Sequence, residues 1–406
     1  MIRKNKKELI SNIISLGSVD ILGMLIPIIT MPLITRAIGL ELYGQYLLFI
    51  TTITFGHTII DYGVQYTGVR SVAQCRDDNE AVKNHYESYQ GLRFILALSY
   101  FFVISIYTVN AFSSYAYIAP LFLYLSGYFL TSAWFFHGMA LTKYLSIASI
   151  FNKLILLFFI IYFVRDESDF LYLIFFSTLP VFITSIFLYV FIRGKYMIKL
   201  FGFSRLRELF NNGKSVFIGL LAPNLYNALP VMILGNYAEK LEFATFAISL
   251  KVCSVVFMLQ NVVARSIYPI ATREKLKNDS LFSTLTLNLF FVIPSVVVLY
   301  FIGIDLIHIV LSVQMSTDIY IKIVSFSLIF VAISNSFVVG YFLPRGYDKQ
   351  YRDVSLQASL LSAVVVFIMI YNYSVLGGAI GLLLSRAILV FNYCLKYKKI
   401  KNEKLS

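Results

Sequence analysis

The sequence predicts an all-α polytopic membrane protein: twelve transmembrane helices in two six-helix halves. Three observations predict it. The chain is 59% hydrophobic and only 14% charged, with a mean hydropathy of +0.78, whereas soluble domains carry about 25% charged residues. Its apolar residues gather into runs near the roughly 20 that cross a bilayer. Lys and Arg recur in every second connection, the pattern of the positive-inside bias.

Taken in order, the N-terminal stretch Met1 to Lys7 is basic and precedes an apolar run of about 25 residues. A signal-peptide core is about 7–15 residues and ends at a small-residue cleavage site. Neither holds, so a retained first helix with its basic end inside is expected. First-half spans are expected at about 9–35, 43–64, 87–109, 115–139, 144–164 and 170–192. Those of the second half fall at about 215–235, 243–268, 281–304, 318–343, 354–372 and 375–395. The inner segments are then the N-terminal tail, the second connection (Arg70, Arg76, Lys83, and Arg93 at the next helix start) and the fourth (Lys143). The central stretch Arg193 to Lys214, the eighth connection (Arg273, Lys275, Lys277), the tenth (Arg345, Lys349, Arg352) and the tail from Lys396 follow. The outer side keeps Arg36, Arg165 and Lys240. Both termini are therefore expected in the cytoplasm. The expected division is an N-terminal lobe 1–192, a basic cytoplasmic linker 193–214, and a C-terminal lobe with a basic tail, 215–406. Six is even, so the halves enter the membrane in the same direction and are related by a pseudo-twofold along its normal.

Several function classes are excluded. The net charge of +13 is spread over short loops rather than gathered in a patch, so nucleic acid is not an expected partner. Cys75, Cys253 and Cys394 are isolated, which gives neither a disulfide framework nor metal spacing. His57, His85, His137 and His308 form no ligand pair. His57 and His137, each alone on an apolar helix, read first as packed polar residues. No cofactor is expected.

The first helix carries Asp20, Pro27 and Pro32, and exits through Arg36, Gly39, Tyr43 and Gly44. A carboxylate at membrane depth faces a bundle interior or a wet cavity. Proline frees backbone carbonyls that a neighbour or a cavity must satisfy. The seventh span repeats the pattern with Pro223 and Pro230, then Gly235. Proline-interrupted helices at matching positions of two halves point to a transporter's central site.

Lys251 and Lys153 sit about eight and nine residues into their helices, too deep to snorkel easily through lipid. Each either lines a cavity for an anionic group, such as a lipid-linked pyrophosphate, or pairs with Asp20 or Asp61. Asn224 and Asn227 accompany the prolines of the seventh span. Arg265 and Arg386 lie nearer the inner side, for snorkelling or inner-gate pairing. Arg36 is an outer gate or an interfacial anchor. Asp20 and Asp61 are the candidates to bind a coupling proton or sodium ion, or else are structural partners of Lys or Arg; Asp61, near the inner interface, leans to the structural role. A charge crossing the field gains about 2.3 kcal/mol per 100 mV, enough to bias a rocking equilibrium more than tenfold. Gly377-Gly378-Ala-Ile-Gly381 begins a membrane helix and reads as close helix packing rather than a dinucleotide loop.

The run Pro32 to Gly44 resembles the opening of the polysaccharide-biosynthesis transport family, the Wzx-type O-antigen flippases. Asp61-Tyr-Gly63 with Gly68-Val-Arg70 and Arg76-Asp77-Asp78, Trp134 to Gly138, Ala222 to Gly235, and Tyr268-Pro269 agree with it. The resemblance spans residues 9 to about 275. It implies the fold of the multidrug-and-toxin exporters and the lipid II flippase, two six-helix lobes in a V around a central cavity, with helices one and seven bending. It also implies the cargo, an undecaprenyl-diphosphate-linked oligosaccharide turned from the cytoplasmic to the periplasmic leaflet of the bacterial inner membrane. The family performs no bond chemistry, so no catalytic residue is expected and the chain is not an enzyme. The expected partners are that cargo, a coupling H+ or Na+, the lipid bilayer and a polysaccharide polymerase or assembly complex. The rival readings are a small-molecule or drug antiporter of the same fold, a membrane polymerase or ligase of the same pathway, and a scaffold of the assembly complex. Polymerases place catalytic residues in a large outer loop, and the longest expected here, around Asp305 to Asp318, is about 15 residues.

Overall fold

The computed structural model describes residues 2–273, 280–312, 315 and 317–403, with the backbone alone for 2–28, 222, 265–273, 280 and 348. No strand occurs among them. The helices are α1 (Ile2–Asp61), α2 (Val64–Gln74), α3 (Asn79–Phe112), α4 (Ile118–Thr131), α5 (Ala133–Gly138) and α6 (Thr142–Phe163). They continue with α7 (Phe170–Tyr196), α8 (Leu206–Tyr237), α9 (Lys240–Arg273), α10 (Ser280–Leu311), α11 (Ile319–Phe337) and α12 (Asp348–Glu403). The protein is a multi-pass membrane protein. By length and composition nine of the described helices can cross a bilayer, or ten if the bent pair Leu206–Leu221 and Pro223–Tyr237 is one span.

Helices and crossings do not map one to one. α2 and α5 are too short to span, while α1 and α12 exceed one crossing; the count of twelve requires two crossings in each. α1 is interrupted at Gly39 (φ 79°, ψ 173°), a backbone state that costs glycine little. α12 breaks at Ser374 (φ 49°, ψ −128°) and doubles back. The Ser362 hydroxyl reaches the Ser385 carbonyl at 3.4 Å, and a Cβ on Gly377 would strike the Met369 carbonyl. The glycines at 377–381 thus let two antiparallel arms approach closely.

Packing divides the chain into two compact units, Met1–Arg36 with Leu225–Ser406, and Ala37–Asn224. The expected linker at 193–214 follows membrane topology, whereas the packing units meet beside Gly39 and Pro223 in the chain. The start of α1 groups with the second half of the chain. There the Thr35 hydroxyl reaches the Leu311 carbonyl at 3.4 Å and the Arg36 guanidinium the Val310 carbonyl at 3.3 Å. That unit also holds an aromatic core of Phe337, Tyr341, Phe342 and Tyr393.

The unit Ala37–Asn224 has its core around Tyr86, Leu92, Trp134, Phe135, Phe136 and Ile192. Two stretches expected as connections are ordered against it. The polar stretch after Asp61 forms α2, which buries Val64, Thr67, Gly68 and Val72, a stripe at helical spacing. α3 starts earlier than expected, because the Asp78 carboxylate caps it by accepting from the Glu80 and Ala81 amides at 3.0 Å. The stretch before α8 lies along α3: the Gly202 amide donates to the Glu87 carbonyl at 2.8 Å, and Phe201 stacks on Phe94 at 4.3 Å.

Candidate functional site

The fourth predicted span is broken near its end. Ser132 adopts φ 46° between α4 and α5, so the last carbonyls of α4 lose their helical partners. At membrane depth such groups must be satisfied by protein or trapped water. Arg93 satisfies them. Its Nη1 donates to the Phe129 carbonyl at 3.0 Å and its Nη2 to the Tyr128 carbonyl at 3.3 Å. A cation at a helix C-terminus also meets the negative end of the helix dipole. Gln90, one turn before Arg93, donates to the Phe129 carbonyl at 3.3 Å and the Ser132 hydroxyl at 2.8 Å. Its own oxygen accepts from Arg93 Nη1 at 2.5 Å and from the Trp134 indole at 3.5 Å.

The guanidinium is neutralised by Asp61, whose Oδ1 lies 3.1 Å from Nε; the two side chains are 1% and 14% exposed. The second Asp61 oxygen accepts from the Tyr128 hydroxyl at 2.5 Å. The His57 ring stacks on Tyr128 at 3.7 Å, and its Nε2 pairs with the Tyr124 hydroxyl at 3.0 Å. An ion pair, an amide, two phenols and an imidazole therefore form one polar cluster inside the Ala37–Asn224 unit. Asp61 and His57 stand out in the sequence, whereas Arg93 reads there as a topology-setting charge at a helix start. The spacing of Gln90 and Arg93, one turn apart on an otherwise apolar helix, was the available signal.

The other unit builds a neutral counterpart. Gln260 on α9 donates to the Leu328 carbonyl at 3.0 Å. Asn288 on α10 donates to the Ser336 hydroxyl at 2.7 Å and the Ala332 carbonyl at 3.5 Å. Both side chains are buried, and the Gln260 Oε1 and Asn288 Oδ1 atoms have no donor among the described residues.

The remaining predicted residues are dispersed. Lys153 is half-buried on α6, whose only fully buried residue is Ile160; its neighbour Asn152 accepts from Thr184 at 2.8 Å. Asn224 is exposed and donates to the Thr58 hydroxyl at 3.0 Å and the Leu220 carbonyl at 2.9 Å. Asn227 is exposed and hydrogen-bonds Tyr226. Lys251 is half-buried on α9 and has no ion-pair partner among the described residues. Arg386 donates to the Ser327 hydroxyl at 2.6 Å. Arg36 is exposed and meets the Val310 carbonyl in the last turn of α10. Lys322 pairs with Asp318 one turn earlier. The side chains of Asp20 and Arg265 lie outside the described residues.

Residues 9–273 match the family described as "Polysaccharide biosynthesis protein". The chain is 24% identical to an Escherichia coli (strain K12) protein named "Putative O-antigen transporter", over 99% of each chain. Among solved structures it resembles a multidrug resistance MATE family transporter of the MOP superfamily in an inward-facing conformation. That likeness has a TM-score of 0.74 at 12% identity and covers 94% of this chain and 95% of that one. It also resembles the lipid II flippase MurJ in an inward closed conformation, with a TM-score of 0.67 at 16% identity, covering 96% of this chain and 87% of that one. At these identities the likeness shows the fold.

Proposed function

Because the chain belongs to the polysaccharide biosynthesis protein family, we propose that it is a flippase for an undecaprenyl-diphosphate-linked oligosaccharide repeat unit of O-antigen or capsule. It carries the unit from the cytoplasmic to the periplasmic leaflet of the bacterial inner membrane by alternating access. The observation that carries this reading is similarity along the whole chain, 99% of each partner, to a protein named as an O-antigen transporter. The glycan crosses within the protein, and the lipid tail stays in the bilayer. Helices one and seven bend at their prolines.

Lys251 is the cation best suited to the diphosphate, since it is half-buried and lacks a described ion-pair partner. Lys153, Arg265 and the amides Asn224 and Asn227 complete the proposed contacts, with Arg36 near the exit. Asp20 and Asp61 are the proposed coupling carboxylates for H+ or Na+. For Asp61 this role runs through Arg93: protonating the carboxylate removes the counter-charge that holds the guanidinium on the end of α4.

A strain deleted for its own flippase, complemented with this gene, tests the reading. Surface polymer should return when the repeat unit is matched. Accumulation of repeat units on the inner leaflet with a matched sugar would sink it. Lys251→Ala should abolish surface polymer with membrane insertion intact; full activity would leave the lysine a structural role.

A further inference from the structure

A polar cavity of about 340 Å³ opens within the Ala37–Asn224 unit, lined by none of the residues of the Asp61–Arg93 cluster. Three helical stripes converge on it. α2 contributes Thr67, Arg70 and Ser71, α3 contributes His85, Ser88 and Tyr89, and Arg205 with the first turns of α8 adds Glu208, Leu209 and Asn212. The α2 and α3 stripes have the i, i+3, i+4 spacing of one helix face, and Glu208 and Asn212 lie one turn apart on α8. The walls are tied together. Ser71 and Tyr89 hydroxyls pair at 3.1 Å, and Ser88 pairs with Ser204 at 2.6 Å. Arg205 is held at φ 58°, a backbone state rarely adopted by residues other than glycine.

The lining is rich in donors. Two guanidinia face one carboxylate, and neither Arg70 nor Arg205 has an ion-pair partner among the described residues. Guanidinium forks match phosphate oxygens two at a time. The volume lies at the lower end for small-molecule pockets and is generous for a lone carboxylate. Exposed aromatics flank the lining residues in sequence: Tyr66, next to Thr67, is 60% exposed, and Phe203, two residues before Arg205, is 56% exposed. Exposed aromatics next to arginines mark a bilayer interface, where basic groups meet lipid phosphates.

We propose that this cavity binds the phosphate of a membrane lipid, with Arg70 and Arg205 as the recognising groups. The phosphate belongs to a bulk anionic phospholipid or to the diphosphate of a polyprenyl-linked cargo. Only the second source rests on the flippase reading; phosphate binding does not.

The chain supplies its own reporter. Trp134 is the single tryptophan and lies 5.4 Å from the ring of the cavity residue Tyr89. The full-length protein in phosphatidylcholine nanodiscs should show a saturable fluorescence change with inorganic diphosphate. Arg70→Gln and Arg205→Gln should each weaken it on the order of tenfold, the scale of one charge-assisted contact. Glu208→Gln should strengthen it. Repeating the titration in discs doped with phosphatidylglycerol, or with undecaprenyl diphosphate at equal mole fraction, identifies the source. Suppression by phosphatidylglycerol assigns the site to bulk lipid, and suppression by undecaprenyl diphosphate alone assigns it to cargo. No saturable response, a response unchanged in the double arginine variant, or one that neither lipid suppresses overturns the proposal. Because an absent response in the unmodified protein already decides against it, the outcome does not depend on a variant folding.

Discussion

The two units handle the same structural task with different chemistry. In each, amide side chains from neighbouring helices donate to carbonyls of one helix and to a serine on it: Gln90 to Phe129 and Ser132, Asn288 to Ala332 and Ser336. Only the first unit places a buried ion pair beside its amide. The reason lies in how each helix ends. α4 stops at a left-handed Ser132 and leaves carbonyls open. α11 instead widens into a π turn over Val338–Phe342 and a 3-10 turn over Leu343–Arg345, so its backbone keeps internal partners. A broken helix inside the membrane needs a charged cap; a loosened one is served by neutral amides.

The largest effect should come from removing that cap. Arg93→Met leaves Asp61 buried without its counter-charge and is expected to cost about 3–5 kcal/mol, read as a collapse of the thermal transition in detergent. Adding Asp61→Asn should restore part of the loss, with a coupling of about 0.5–3 kcal/mol; purely additive effects would break the link between ion pair and helix end. Next comes Asn288→Leu, which removes a neutral bond and should cost only about 0.6 kcal/mol in the same melt. An equal cost for Asn288→Leu and Arg93→Met would erase the contrast between the units. The smallest effect belongs to Arg36→Ala. Arg36 also caps a helix end, but an exposed one, where a cation is worth about 0.3 kcal/mol; its melting point should barely move.

Much of this was legible in the sequence, for physical reasons. Hydropathy and Lys/Arg alternation gave the membrane class, because the bilayer imposes run length and charge bias on every span. The Ser374 break fell between the expected spans at 354–372 and 375–395, and the glycines at 377–381 read correctly as packing. Asp61 was visible because carboxylates are rare at depth. Arg93 was not, because a basic residue near a predicted helix start is what topology alone requires. Nor was the break at Ser132, since serine tolerates a helix and nothing in Thr131-Ser132-Ala133 forces a turn. α2 looked like a loop because half its surface is polar, and its buried stripe of Val64, Gly68 and Val72 has meaning only beside Trp134. The dispersed lysines show the limit: depth along a helix is readable, but the direction a side chain faces is set by packing.

The contact between Thr35 and Leu311 carries a consequence for biogenesis. The two residues are 276 positions apart. At ribosomal rates of about 5–20 residues per second, the end of the first helix waits on the order of tens of seconds for the segment it will rest against. Throughout that time Thr35 and Arg36 sit in the translocation machinery or in lipid without their final partners, the Leu311 and Val310 carbonyls. Insertases or chaperones that hold early helices are therefore expected to matter more for this chain than for one whose first helix packs against the second.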